Sequence, residues 1–245
     1  CMLLVYSIRM LTRAKNILLD MIFPRTCLAC AKNIPACDAH ASICNVCMAT
    51  IPLYDALHCP VCMRRIPADG AQCHPEAKYI LAGATHYAHA PVQKLIWQMK
   101  YENWMTVGAP VGALLVNYLR ALPHDFASYH VVPIPLHKKR EWKRGFNQAA
   151  IIGASVSTAL HLPTIAKNLV RVKETPAQAD QKDYTARDIN ITGAFHVERP
   201  REFKGKNIML VDDVTTSGAT LREAVRVLKS AGVKKIVAAV VARAR

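Results

Sequence analysis

Apolar and polar positions change rhythm twice along the chain and divide it into three regions. Over residues 2–22, Leu4, Ile8, Leu11, Ile17, Leu18 and Met21 recur at helical spacing, which predicts an amphipathic lead-in helix packed against its own protein. The polar face of that segment is weakly charged, which disfavours a membrane-surface role. Residues 23–78 show no long periodic run and hold prolines at 24, 35, 52, 60, 67 and 75. So loop-rich a unit cannot hold itself by apolar burial alone and needs a staple. Over residues 79–245 the rhythm is that of an α/β domain. Val92, Leu95, Ile96 and Met99, then Val111, Leu114, Leu115 and Leu119, fall on helical faces within 91–120. Residues 129–134 make a short β-branched strand, and 147–160 a helix that Asn147 caps and that ends before Pro163. The stretch 165–197 has no clear period. Residues 208–211 form an apolar strand, 221–230 a helix burying Leu221, Ala224, Val225 and Leu228, and 236–241 a last strand after the stop at Gly232. Strand, helix, strand in that order implies a parallel, right-handed crossover.

With 245 residues, 52% hydrophobic and 20% charged, the chain can bury the core of one α/β domain and a small appendage. The 32 Lys+Arg exceed the 17 Asp+Glu by 15 charges. That excess is clustered and favours polyanionic partners: nucleic acid, phosphorylated metabolites or an anionic membrane face. No apolar run reaches the roughly 18 residues of a membrane span. Arg9, Arg13, Lys15 and Asp20 interrupt the first segment, so it does not read as a secretory signal. The expected location is the cytoplasm, where thiols stay reduced. The chain opens on Cys1 rather than Met, so its first residues carry little weight.

Eight of the nine cysteines fall between Cys27 and Cys73. Cys27-x-x-Cys30 and Cys44-x-x-Cys47 are paired knuckles whose four thiolates suit closed, tetrahedral, structural Zn2+. A second set opens with Cys59-x-x-Cys62 and continues at Cys73, but Glu76 stands where its closing cysteine is expected. Three outcomes stay open for it: Cys59, Cys62 and Cys73 completed by His74, a weak three-coordinate site, or a lost one. Cross-pairing of the knuckles is also open. The histidines at 86, 89, 124, 130, 161 and 196 lack ligand spacing and are expected to be structural or exposed.

The central segment reads Ile208-Met209-Leu210-Val211-Asp212-Asp213-Val214-Thr215-Thr216-Ser217-Gly218-Ala219-Thr220. Four apolar residues predict a strand buried on both faces, with two carboxylates at its C-terminal tip, where ligands bind in open α/β sheets. A run of hydroxyl residues around one glycine then leads into a helix. The first N–H groups of a helix are unpaired and carry partial positive charge, so a phosphate fits there. Thr215, Thr216, Ser217 and Thr220 can donate to its oxygens, and Gly218 permits close approach. Ionised Asp212 and Asp213 only accept hydrogen bonds, which suits two sugar hydroxyls. The ligand so described has a diol at one end and a phosphate at the other. The plainer alternative, an acidic strand end followed by an ordinary N-cap turn, is outweighed by the length and context of the motif. No Walker pattern competes for the phosphate.

After the strand ending in Pro133-Ile134-Pro135-Leu136-His137 comes a basic loop in which Lys138, Lys139, Arg140, Lys143 and Arg144 make five of seven residues cationic. It can meet a pyrophosphate, or a nucleic-acid backbone with Trp142 and Phe146 stacking on bases. Solvation of the loop, with both aromatics in the core, is the plain alternative. For Arg140 and Arg144 phosphate contact is favoured.

The strand–acid pair–hydroxyl loop resembles the motif of type I phosphoribosyltransferases. The resemblance implies a parallel sheet with helices on both faces and a site for 5-phosphoribosyl-1-pyrophosphate (PRPP) with Mg2+. It implies Asp212 and Asp213 on the ribose hydroxyls and residues 215–220, Ala219 included, around the 5′-phosphate. The string Pro-Ile-Pro-Leu-His…Arg…Arg-Gly-Phe-Asn-Gln at 133–148, and Arg171, Thr175, Gln178, Arg187, Asn190 and Phe195, resemble the ComF family of competence proteins, close to its DNA utilization branch. The chain departs from that pattern by one residue inserted between Gln178 and Arg187 and by Asp180-Gln181-Lys182 in place of the usual leucine. The likeness runs from about Phe23 to Arg245 and implies an N-terminal double zinc ribbon.

Three functions follow as expectations. The first is a factor for natural transformation and DNA utilization that handles incoming single-stranded DNA and works with competence-machinery proteins. The second is an active phosphoribosyltransferase in nucleotide salvage, in which a base attacks C1 of PRPP and pyrophosphate leaves from Arg140 and Arg144. No residue names the acceptor base. The third is a binding module that keeps the enzyme fold for regulation.

Overall fold

A computed structural model describes residues 25–34, 42–67, 73–102, 107–174 and 191–244. The expected lead-in helix lies outside them, as do Thr175, Gln178, Arg187 and Asn190. The strands, in chain order, are β1 (Ile80–His86), β2 (Tyr129–Pro133), β3 (Leu169–Arg171), β4 (Phe195–Val197), β5 (Asn207–Thr215) and β6 (Lys235–Arg243). The helices are α1 (Asn45–Ala49), α2 (Ala90–Tyr101), α3 (Gly108–Ala121), α4 (Lys138–Arg144), α5 (Gln148–Leu160) and α6 (Ala219–Ser230). Strands β1, β6, β5 and β2 form one parallel sheet in that order, and β3 and β4 pair antiparallel beside it.

The sheet is apolar on both faces, which is why helices cover both. Ile208, Leu210, Ala238 and Val240 face α6 and the β3–β4 pair. Met209, Val211, Val237 and Ala239 face α2, α3 and α5. Each Ile, Leu, Val or Met side chain so buried contributes about 1.5–3 kcal/mol, and each Ala methyl about half as much or less.

Several bounds differ from expectation. Strand β5 runs on past the apolar stretch, so Asp212 and Asp213 lie within it, Asp212 level with Val240 of β6, rather than at its tip. Helix α6 starts two residues early, at Ala219. The basic segment is a helix, α4, not a loop. Gly145, at φ +79°, ends it in the left-handed region that glycine alone enters freely. Phe146 is buried behind it, whereas Trp142 is 88% exposed.

Strand β1 had no counterpart in the sequence pattern. Its outer edge is covered by the cysteine region: Tyr54 N donates to Ala84 O (2.8 Å), His58 N to Leu81 O (2.8 Å) and Leu81 N to His58 O (2.9 Å). Covering an edge removes a row of unpaired backbone groups. The Tyr118 hydroxyl of α3 donates to Ala56 O at 2.6 Å, and Ile43, Ile51 and Leu57 share one apolar cluster with α2 and α3. Among the described residues, no helix is long and apolar enough to cross a membrane.

Candidate functional site

The carboxyl ends of β2 and β5 open onto one cleft. Lys100 of α2, Arg140 and Arg144 of α4, Arg171 of β3, and Asp212 and Asp213 of β5 line it, with Thr220. Lys138, Lys139 and Lys143 of the same basic helix are exposed and outside its lining, and Lys139 pairs with Glu174 at 3.1 Å. The α4 cations are therefore split between a cleft face and a solvent face.

The acids are held by their own strand. Asp212 Oδ1 accepts from Asp213 N (2.8 Å), and Asp213 Oδ1 accepts from Val214 N (2.6 Å) and from Lys100 Nζ (3.0 Å). Asp213 Oδ2 is buried with no hydrogen-bond partner. Such an orphaned acceptor is costly unless a donor arrives, and a sugar hydroxyl is one. Burial, then the like charge of Asp213, pushes the Asp212 carboxyl up to about 7. Burial works against the Lys100 charge, but Asp213, then Asp212, outweigh it and hold the ammonium above its ordinary value. Burial, then neighbouring Arg140, pulls Arg171 down; burial does the same to Arg144 against the attraction of Asp213. Guanidinium groups stay charged even so, and their crowding favours an anion between them.

The loop meets its helix through Gly218, the N-cap of α6, at φ +77°. A Cβ there would come within 3.2 Å of Arg222 Nη1, which donates to Ser217 O at 2.6 Å. Thr216, Ser217 and Thr220 are half-buried, while Thr215 and Ala219 are buried, Thr215 as the last residue of β5. Asn147 and Gln148 have separate tasks. Asn147 caps α5 through Ala149 N (3.0 Å) and donates to Ile134 O (3.0 Å), while Gln148 Oε1 accepts from Arg144 Nη1 (2.6 Å). They fix the turn out of α4 and aim Arg144 into the cleft.

The cysteines form two groups: Cys27, Cys30, Cys44 and Cys47, and Cys59, Cys62, Cys73 and His74, with ligand atoms within 4.8 Å of one another in each. Tetrahedral coordination with bonds of ~2.3 Å sets ligand atoms about 3.8 Å apart. Cys30 Sγ–Cys44 Sγ is 3.9 Å, Cys62 Sγ–Cys73 Sγ 3.4 Å and Cys59 Sγ–His74 Nδ1 3.5 Å. Both groups could hold a metal ion, and His74 stands in the position left open by Glu76. The knuckles pair in sequence order and do not cross. Burial works against the Cys27 thiolate, but backbone N–H groups, among them those of Cys30 and Cys44, bring it down to about 6.

Lys100, Tyr101 and Arg171 line the cleft but were not among the expected site residues, Arg171 having entered only through the family resemblance. A single lysine in an amphipathic helix has no spacing that separates it from a solvated one.

Residues 147–245 match the phosphoribosyl transferase domain family. Competence protein F of Haemophilus influenzae is 30% identical over 218 residues, 86% of this chain and 86% of its own. The chain belongs to the ComF family. Two further relatives agree with that membership: DNA utilization protein YhgH of Escherichia coli K12, 28% identical over 84% of this ComF chain and 91% of its own, and competence protein ComFC of Bacillus subtilis, 35% identical over 46% and 48%. The fold of this ComF protein is thus a phosphoribosyltransferase-type parallel sheet preceded by two cysteine clusters.

Proposed function

We propose that this ComF protein binds a phosphoribosyl ligand, PRPP with Mg2+, in the cleft between β2 and β5, and binds single-stranded DNA in the cytoplasm. One observation carries the reading: the Asp212 and Asp213 acceptors, the Thr220 hydroxyl at the start of α6 and the guanidinium groups of Arg140, Arg144 and Arg171 line one cleft. Asp212 and Asp213 accept from the ribose hydroxyls, the orphaned Oδ2 of Asp213 among the acceptors. Residues 215–220 and the first N–H groups of α6 receive the 5′-phosphate. Arg140, Arg144 and Arg171 face the pyrophosphate, whose charge Mg2+ shares. The cleft encloses about 120 Å³, less than the roughly 300 Å³ of a small ligand pocket.

The metal in both cysteine clusters is Zn2+ in this reading, supported by thiolate ligation and near-tetrahedral spacing. It is structural, since a closed site leaves no position for water. Residues 1–22 form the lead-in, 23–78 the zinc-ribbon unit and 79–245 the phosphoribosyltransferase-like domain. The exposed cations of α4 and Trp142 offer a strand its phosphate and stacking contacts. The printed names of the relatives, competence and DNA utilization proteins, support DNA as the partner. Competence-machinery proteins are further expected partners.

A second reading is favoured by the guanidinium cluster at the pyrophosphate position: transfer, in which a base attacks C1, the C1–O bond breaks and pyrophosphate leaves. Calorimetric titration with PRPP and Mg2+ tests the first reading. Binding should be present in the wild type and lost in Asp212→Asn/Asp213→Asn, and no binding by folded, zinc-loaded wild type would reject it. Pyrophosphate release across a panel of bases tests the second. Strand binding should fall steeply with salt, and charge reversal of Lys138, Lys139 and Lys143 should weaken it.

A further inference from the structure

A second cavity, of about 590 Å³, adjoins the phosphate loop between the Cys59–Cys62 knuckle and α6. Its volume lies within the range of ligand pockets, about 300–1,000 Å³. The floor is apolar, formed by Val61, Tyr79 and Val225, and Val61 is 53% exposed at the knuckle's tip. The rim carries Lys78, Arg222, Arg226 and Lys229 against Glu76, with Glu223 paired to Arg226 at 2.7 Å and Lys229 Nζ donating to Lys234 O at 2.7 Å. Arg226 is held by Glu223 through two hydrogen bonds of 2.8 and 2.7 Å, and Glu223 is itself buried and fixed by Gly193 N at 2.7 Å. The guanidinium is therefore oriented before any ligand arrives.

An apolar floor beneath a cationic rim matches a nucleotide: the base lies on the floor and the phosphate on the rim. The three α6 cations recur at i, i+4 and i+7 and span about 10 Å of helix. That is more than one phosphate occupies and favours a strand over a free mononucleotide. We propose that this groove seats a segment of single-stranded nucleic acid, with a base against Val61 and successive phosphates along Arg222, Arg226 and Lys229. This rests on the DNA-binding reading above and moves the principal contact from α4 to the second cysteine knuckle. It also sets the strand beside the phosphoribosyl site, because Arg222 reaches the groove and bonds Ser217 O of the loop.

The test uses the full, zinc-loaded chain and fluorescence anisotropy of a labelled oligothymidylate over a range of salt. Val61→Glu and Arg226→Gln should each weaken binding at least tenfold. Arg226→Gln should also lower the salt slope by about 1. Both should bind PRPP like the wild type, which shows that the fold and the first site are intact. Val61 is exposed, so its variant is expected to fold even if Arg226→Gln does not. Unchanged oligonucleotide affinity in folded Val61→Glu overturns the groove, as does loss confined to Lys138→Glu/Lys143→Glu on α4. Thymidine 5′-monophosphate binding as tightly as the oligonucleotide makes it a mononucleotide pocket and overturns the strand. No oligonucleotide binding by the wild type removes the DNA reading itself, and the groove with it.

Discussion

Replacing Lys100 with methionine keeps the length and apolar stem of the side chain and removes the charge that faces Asp213. The two groups stand 3.0 Å apart, with side chains 24% and 4% exposed. At that distance and an effective dielectric constant of ~20 the attraction is about 5–6 kcal/mol. Desolvation of both partners offsets much of it, and water reaches the lysine, so removing one partner should cost about 2–3 kcal/mol. For a chain of this length that is a fall in Tm of about 4–12 °C. The sign with pH follows from linkage. Without that cation Asp212, already raised to about 7, is pushed further up, so in the folded state it keeps a proton at a pH where the unfolded chain, at about 4, has lost it. A carboxyl raised on folding loses stability as pH rises from the unfolded towards the folded value. The deficit of Lys100→Met should therefore be largest near pH 8 and shrink towards pH 5. Thermal unfolding of zinc-loaded wild type and variant, followed by circular dichroism at both pH values, measures it. Equal Tm at pH 8, or the same deficit at both, would refute the assignment of Lys100 as the counter-ion.

The zinc-loaded chain should hold two equivalents of metal, and Cys73→Ser should release one while keeping the other, as read by colorimetric zinc titration. Gly218→Ala forces a side chain into φ +77° and against Arg222; a loss of about 1–3 kcal/mol and at least tenfold weaker PRPP binding by calorimetry are expected. Because Asp212 sits at about 7 and hydroxyl donors favour its ionised form, PRPP affinity should rise between pH 6.5 and 8, and a flat profile would contradict that role. Tyr118→Phe leaves Ala56 O without its 2.6 Å donor and should cost about 1–3 kcal/mol in denaturant unfolding.

Local chemistry made the strand–loop–helix over 208–220 readable from the sequence. Strand, acids, hydroxyls and glycine are contiguous over 208–220, and each signals its own conformation. The knuckles were readable for the same reason, since ligand spacing is a short-range property. The place of His74 beside Cys59, Cys62 and Cys73 was only one of three possibilities, because nothing in the sequence fixes how the chain returns to Cys59. Strand β1 was hidden because Ala82, Gly83 and Ala84 give it small side chains in place of a β-branched run. Helix α4 was hidden because its seven residues carry five cations and no apolar stripe. Its helical state depends on the Gly145 stop and on the bonds that Asn147 and Gln148 make behind it. Lys100 and Arg171 enter the cleft from α2 and β3, about forty to one hundred and ten positions from the acids they face. No window of sequence contains both sides of that contact.

The most direct test of the central claim is a crystal structure of the zinc-loaded chain with PRPP and Mg2+. The 5′-phosphate should lie over residues 215–220, the ribose hydroxyls within hydrogen-bond distance of Asp212 and Asp213, and the pyrophosphate among Arg140, Arg144 and Arg171. Density for the ligand elsewhere, or an empty cleft at saturating PRPP, would contradict it.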